Sequence, residues 1–221
     1  MIHTTPVNPN ATPEATALLQ YLHDIAGTNI LAGQHTQTNP MKEVAYIETV
    51  TGKSPKLCGF ELLAYSPNIR MEDASEACRV EVEENRNTMD TALRWANETG
   101  GIVTLTFHWF SPLGGHDKSF YTEHTDFDAE RVLHDGTPER AAFFHDLDAI
   151  AVQLQRFQDA KIPVLWRPFH EAEGTWFWWG AKGAEVAKQL YLLMYEYYVH
   201  HYHFDHLLWV WNSRLPEGYP G

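Results

Sequence analysis

Residues 165–180 read LWRPFHEAEGTWFWWG. A short apolar run (Ile162, Pro163, Val164, Leu165, Trp166) leads into Arg167, His170 and Glu171, and three tryptophans follow at once, Trp176, Trp178 and Trp179. A short apolar run bounded by polar residues reads as a buried strand, so the three polar side chains stand just past its C-terminal end. An ionisable carboxyl held between a guanidinium, an imidazole and large aromatic faces suits proton transfer to a flat, hydroxyl-rich ligand. A sugar fits that description: an aromatic face takes the C–H side of a pyranose, and fixed polar groups take its hydroxyls. Aromatic runs are usually core. Here, however, six of the eight tryptophans lie between Trp166 and Trp211, with Arg167, His170, Glu171 and Glu173 among them. A lone buried charge costs several kcal/mol, so this density favours a lined cleft over a sealed interior.

On either side of the stretch, helical and extended patterns alternate. Residues 1–13, rich in Pro, Thr and Asn, read as a flexible leader, and residues 14–221 as one domain. A helix opens at Pro13-Glu14 with Leu18, Leu22 and Ile25 on one face, and 29–35 (NILAGQH) is the first strand. A helix over 41–51, stopped by Gly52, precedes the strand 56–63 (KLCGFELL), which carries Glu61 near its end. A helix over 76–98, with Val82, Met89, Leu93 and Ala96 in register, ends at Gly100-Gly101. The strand 102–109 (IVTLTFHW) is rich in β-branched and aromatic types. A polar loop, 111–138, is followed by a helix with Phe143, Leu147, Ile150, Leu154 and Phe157 on one face, then by the strand 162–166. A last helix presents Val186, Leu190, Leu193 and Tyr197 ahead of the strand 207–211 (LLWVW). Five strands with a helix between each pair imply a parallel α/β sheet. Polar residues gather past the strand ends (His35, Glu61, His108, His170 with Glu171, Asn212), which suits an open doubly wound sheet and a barrel alike. The first strand ends in LAGQH, not in a G-x-G-x-x-G phosphate turn.

RPFHEAEGTWFWWG resembles the signature of glycoside hydrolase family 26, whose best-known members are endo-β-1,4-mannanases. GGIVTLTFHWFSPLGG (100–115) and LLWVWN (207–212) extend the resemblance, which runs from about Asn29 to the last residue. The resemblance implies a (β/α)8 TIM barrel and a retaining, double-displacement cleavage of β-1,4-mannosidic bonds. It decides the architecture in favour of the barrel. At the strand spacings seen here eight units would need on the order of 350 residues, so the chain reads as the N-terminal part, with about five β/α units. By motif position Glu171 matches the general acid/base, with Arg167 and His170 to tune and orient it. The nucleophilic glutamate is implied at the end of a seventh strand, beyond residue 221; Glu217 comes too early. His108 corresponds to a substrate-binding residue beside the −1 sugar, and Trp176 to a stacking platform. Trp179, Trp211 and Asn212 are expected to line the cleft, and Trp178 to be wall or core. Tyr121 is a candidate sugar-facing ring. Glu61 is a candidate weighed against a solvated carboxylate, and Glu173 lies off the motif.

Composition narrows the partners. With 16 Lys and Arg against 29 Asp and Glu, the formal net charge is −13, which disfavours nucleic acid and anionic membrane. A β-mannan or related neutral polysaccharide is compatible. No apolar run approaches the roughly 18 residues of a membrane span. The first sixteen residues have neither a basic start nor an apolar segment, so no signal peptide is expected; the resemblance implies an extracellular enzyme, and a cytoplasmic one stays open. Cys58 and Cys78, the two cysteines, are expected as free thiols. His170-Glu171-Ala172-Glu173-Gly174 begins like H-E-x-x-H, but Gly174 takes the place of the second histidine. His200, His201, His203 and His206 are expected as surface histidines at a helix end. No cofactor and no metal is expected. Two rivals remain beside a β-mannanase: a non-catalytic carbohydrate-binding remnant, and a hydrolase of β-1,3-xylan or mixed-linkage β-glucan.

Overall fold

A computed structural model describes residues 4–36 and 39–213. In chain order the main elements are α1 (Pro13–Ile25), β1 (Gly33–His35), α2 (Lys42–Thr51), β2 (Leu57–Glu61), α3 (Glu76–Glu84), α4 (Thr88–Thr99), β3 (Ile102–Thr106), α5 (Pro138–Asp159), β4 (Val164–Arg167), α6 (Ala184–Glu196) and β5 (Leu207–Trp209). Local chemistry explains the helix starts. Thr12 and Thr137 each accept a first-turn N–H on the side-chain hydroxyl, at 3.2 Å, and each is followed by a proline whose missing N–H is no loss there.

The order of elements matches the sequence reading, but several details differ. The strands are shorter than their apolar runs, and Ile30, expected in the first strand, is fully exposed. The single helix expected over 76–98 is two helices. Asn85 folds its side-chain amide back onto the Glu81 carbonyl at 2.9 Å, and Asn87 takes a left-handed φ of 61°. Both are habits of asparagine that compete with a continuing helix. On α6 the buried line is Ala187, Leu190 and Met194, while Val186 and Leu193 are only half-buried. The expected leader is tied down at Asn8, which is buried and donates to the Asp205 carboxylate at 2.8 Å.

All four strand pairs are parallel, and the strands lie side by side in sequence order, β1-β2-β3-β4-β5. A doubly wound sheet would reverse this order at a switch point. With right-handed crossovers, an unreversed order puts every connecting helix on the same face, as the staves of an α/β barrel require. Cys58, Phe60, Val103, Leu105, Val164, Trp166 and Leu207 form that outer face, in one core with Met89, Trp95, Phe143, Leu147, Leu154, Leu190 and Met194 of the helices. Each fully buried side chain of this size is worth about 1.5–3 kcal/mol.

Side chains alternate across a strand, so the residues between these point to the inner face. At the N-terminal end of that face, Ile102 and Leu208 pack against Ala15 and Leu18 of α1, which closes the bottom. At the C-terminal end, the register pairs Glu61 with Thr106 and Thr106 with Arg167. One lateral row of polar side chains therefore floors the upper end of the sheet.

Candidate active site

Glu61 anchors the floor. It is 4% exposed, and each of its oxygens accepts two hydrogen bonds. Oε2 takes the Thr106 hydroxyl at 2.8 Å and His108 Nδ1 at 2.8 Å, while Oε1 takes the backbone N–H of His108 at 2.7 Å and of Leu63 at 3.1 Å. Burial alone would raise its pKa, but the His108 charge and these bonds win and hold it at about 2. His108 lies two residues past Thr106 and thus on the same face. Its Nε2 is 3.1 Å from Nε2 of the buried His170. Burial, and then the facing His108, push His170 down to about 3. Burial also acts to lower His108, yet Glu61 outweighs it and the net shift is upward. The two ring nitrogens share one proton; the opposite shifts of the two rings favour its residence on His108, while His170 Nδ1 is buried without a hydrogen-bond partner among the described residues.

The loop after β4 brings up the second half of the site. Phe169 and Glu171, on either side of His170, both take left-handed backbone (φ 49° and 55°). For residues with a Cβ this costs about 1–2 kcal/mol each. Tertiary contacts hold the turn: Trp179 Nε1 donates to the His170 carbonyl at 2.9 Å, and Trp178 Nε1 to the Trp109 carbonyl at 2.7 Å. The loop is also latched to the segment after β3, where Thr122 N–H donates to the Trp176 carbonyl at 2.8 Å and Tyr121 stacks on Phe177 with ring centres 5.5 Å apart. Trp176 is 47% exposed, and its indole Nε1–H donates to Oε2 of the exposed Glu171 at 2.9 Å. Gly174 makes room for this, since a Cβ there would sit 2.3 Å from the Trp176 ring. Arg167, at the end of β4, lies within the electrostatic reach of both carboxylates. Burial lowers its pKa while Glu61 and Glu171 oppose the change, and its Nε is buried with no hydrogen-bond partner among the described residues. Two open cavities flank the centre. One of about 440 Å³ is lined by His35, Glu61, Glu81, Asn85, His108 and Lys118, the other of about 430 Å³ by Tyr121, Thr122, Glu123, Thr175 and Trp176.

The sequence pattern of glycosyl hydrolase family 26 matches residues 7–218. The chain belongs to that family. It is 44% identical to a mannan endo-1,4-beta-mannosidase of Thermothelomyces thermophilus, over 97% of this chain and 43% of that protein. A GH26-CBM35 beta-(1,4)-mannanase of Podospora anserina superposes with a TM-score of 0.84 at 41% identity, covering all of this chain and 48% of the other. A beta-mannanase from a symbiotic protist of the termite Reticulitermes speratus, solved with a gluco-manno-oligosaccharide, superposes with a TM-score of 0.85 at 32% identity, over 100% and 69%. The chain spans less than half the length of the first three curated relatives it matches. The sequential parallel sheet is thus five β/α units of a family 26 (β/α)8 barrel.

Within this family 26 chain, His108, Arg167, His170, Glu171 and Trp176 come together as one constellation. Trp179, expected to line the cleft, instead has no exposed surface and buttresses the turn at His170 from behind; Trp178 is likewise buried. Trp211 is exposed, with its ring edge-on to Tyr191 at 5.1 Å, and the Asn212 carbonyl accepts the Ala172 N–H at 3.4 Å, tying the end of β5 to the site loop. His200, His201 and His203 are exposed, but His206 is not a surface histidine: it is buried, paired to Gln158 at 3.0 Å, and pushed by burial down to about 3. Cys58 and Cys78 are free and buried. Among the described residues no group of three His, Cys, Asp or Glu side chains could hold a metal ion. Glu217 lies outside the described residues. Glu61 was undervalued by sequence alone. The available signal was its strand position, two residues past Gly59 on the face that also carries Thr106 and Arg167.

Proposed function

We propose that this chain carries the acid/base half of a retaining glycoside hydrolase site that cleaves internal β-1,4-mannosidic bonds in mannan-type polysaccharides. The observation that carries the reading is the pairing of an exposed carboxyl with an exposed aromatic face, Glu171 bonded to Trp176 at the mouth of the floor row. A pyranose stacked on Trp176 would lie beside the carboxyl that the indole N–H holds at 2.9 Å. Glu171 donates its proton to that oxygen as the bond to the leaving sugar breaks. A carboxylate nucleophile takes the anomeric carbon, and Glu171 then removes a proton from the water that releases the covalent intermediate. Glu61 is not that nucleophile: both of its oxygens are taken up by four hydrogen bonds. The nucleophile is expected outside the described residues, as the family resemblance implies. The names of the relatives support the polymer: mannan for the curated enzymes, a gluco-manno-oligosaccharide for the solved complex. An extracellular site of action is part of this proposal, since mannan-type polysaccharides are met outside the cell.

Glu171→Gln in the natural polypeptide tests it. Turnover of mannan is expected to fall by about 10²–10⁴, the usual worth of general acid–base catalysis, with oligosaccharide affinity little changed. Near-normal turnover removes the assignment, and faster release of reducing ends from β-1,3-xylan or mixed-linkage glucan than from mannan moves the substrate to that polymer.

A further inference from the structure

We infer that Glu61 is a positioning residue of this site: its buried carboxylate organises the His108–His170 imidazole pair and, through it, the turn that presents Glu171. Three strands contribute one side chain each to an unbroken line, Glu61 from β2, His108 past β3 and His170 past β4, with contacts of 2.8 Å and 3.1 Å. Two imidazole nitrogens 3.1 Å apart need one proton between them. Two protons repel, and two bare lone pairs leave the contact without a bond. Glu61 decides the first half of the question by taking the His108 Nδ1–H. A neutral His108 would then have to accept a proton from His170 Nε2, whereas an imidazolium donates to it. The carboxylate charge beside His108 selects the imidazolium.

Glu61 is itself held still. Thr106 and the backbone N–H groups of His108 and Leu63 occupy its remaining acceptor positions, so the carboxylate cannot swing away. At the other end of the line, His170 sits between the two left-handed residues Phe169 and Glu171, whose strain must be held by contacts. The donor from His108 on one side and the Trp179 indole on its carbonyl supply two of them. The other charges around His108 are compatible. Glu171 favours its proton from β4, as does Glu81 on α3, though Glu81 is ion-paired with Lys118. Arg167 on β4 faces the same floor from its far side, and His35 on β1 stands near enough for the His108 charge to disfavour its own protonation.

The consequence for catalysis rests on the function proposed above; the protonation pattern does not. The test is a histidine Cε1–H titration by NMR on the labelled protein, wild type against Glu61→Gln. In the wild type His108 is expected to keep its proton above the ordinary pH of 6.5, with His170 neutral throughout. In Glu61→Gln the proton affinity of His108 is expected to fall about tenfold or more, which is one pH unit or more. In the active protein, the same substitution is expected to lower kcat for a manno-oligosaccharide while leaving KM nearly unchanged, because the displaced turn carries the acid. Equal titration of His108 in both proteins overturns the proposal, as does a neutral His108 at pH 6 in the wild type, a measurement that stands even if Glu61→Gln does not fold. A shifted His108 in a protein that does not cleave mannan upholds the pair and removes the proposed substrate instead.

Discussion

Asp146 on α5 has no exposed surface and lies beneath the aromatic wall of the site. Its carboxylate accepts the Trp109 indole N–H at 2.7 Å and the Asn68 amide at 3.0 Å, with His145 Nδ1 at 3.4 Å. Burial is the larger influence and raises its pKa from the ordinary 3.8 to about 6, against the pull of these donors. The folded protein therefore binds this proton more tightly than the unfolded chain does. The group contributes full stability below pH 3.8, and that contribution is lost as the pH climbs to about 6. At 1.36 kcal/mol per pH unit the gap is worth about 3 kcal/mol. In Asp146→Asn the neutral amide keeps an acceptor for Trp109 and cannot ionise. Urea unfolding followed by tryptophan fluorescence at pH 4 and pH 7 measures the difference between variant and wild type, in which titrations remote from Asp146 cancel. The variant is expected to gain about 2 kcal/mol on the wild type between the two conditions, since part of the effect is already lost at pH 4, whatever fixed offset the lost Asn68 contact adds. A difference that stays the same at both pH values refutes the reasoning.

Trp176→Ala removes an exposed ring and is expected to leave unfolding stability within about 0.5 kcal/mol, since little packing is lost. Manno-oligosaccharide affinity should fall about tenfold, an energy of 1.4 kcal/mol, read by titration calorimetry; unchanged affinity would take Trp176 out of the binding surface. Cys58 and Cys78 are buried, and burial pushes their thiols up to about 12 and 11. Neither should react with a thiol reagent at pH 8 until the protein is denatured, because the thiolate is the reactive form. Rapid labelling of the native protein at either position would contradict the packing around β2 and α3.

Much of this arrangement is legible in sequence because it depends on local periods. The β/α alternation shows in the apolar runs, and Arg167, His170 and Glu171 stand where a strand pattern breaks off. What escaped depends on relations that no local window holds. Glu61 becomes a buried, four-fold acceptor only because Thr106 and His108, more than forty residues away, fall beside it in the β2–β3 register. Trp179 turns inward to donate to the His170 carbonyl, in a turn whose Phe169 and Glu171 adopt left-handed backbone that neither residue type announces. His206 leaves the exposed histidine tract because Gln158, far off on α5, takes its Nδ1. The break between α3 and α4 was the nearest to readable, since two asparagines within three residues are poor helix interior.

Glu171, in the proposed reaction, donates its proton to the leaving sugar. Glu171→Ala in the natural polypeptide, compared on mannan and on an aryl β-mannoside whose leaving group departs without protonation, tests it most directly. A loss of about 10²–10⁴ is expected on mannan, while formation of the glycosyl-enzyme from the activated substrate stays near the wild-type rate. Equal losses on both substrates would contradict it, and would make Glu171 a structural or binding group in place of the acid.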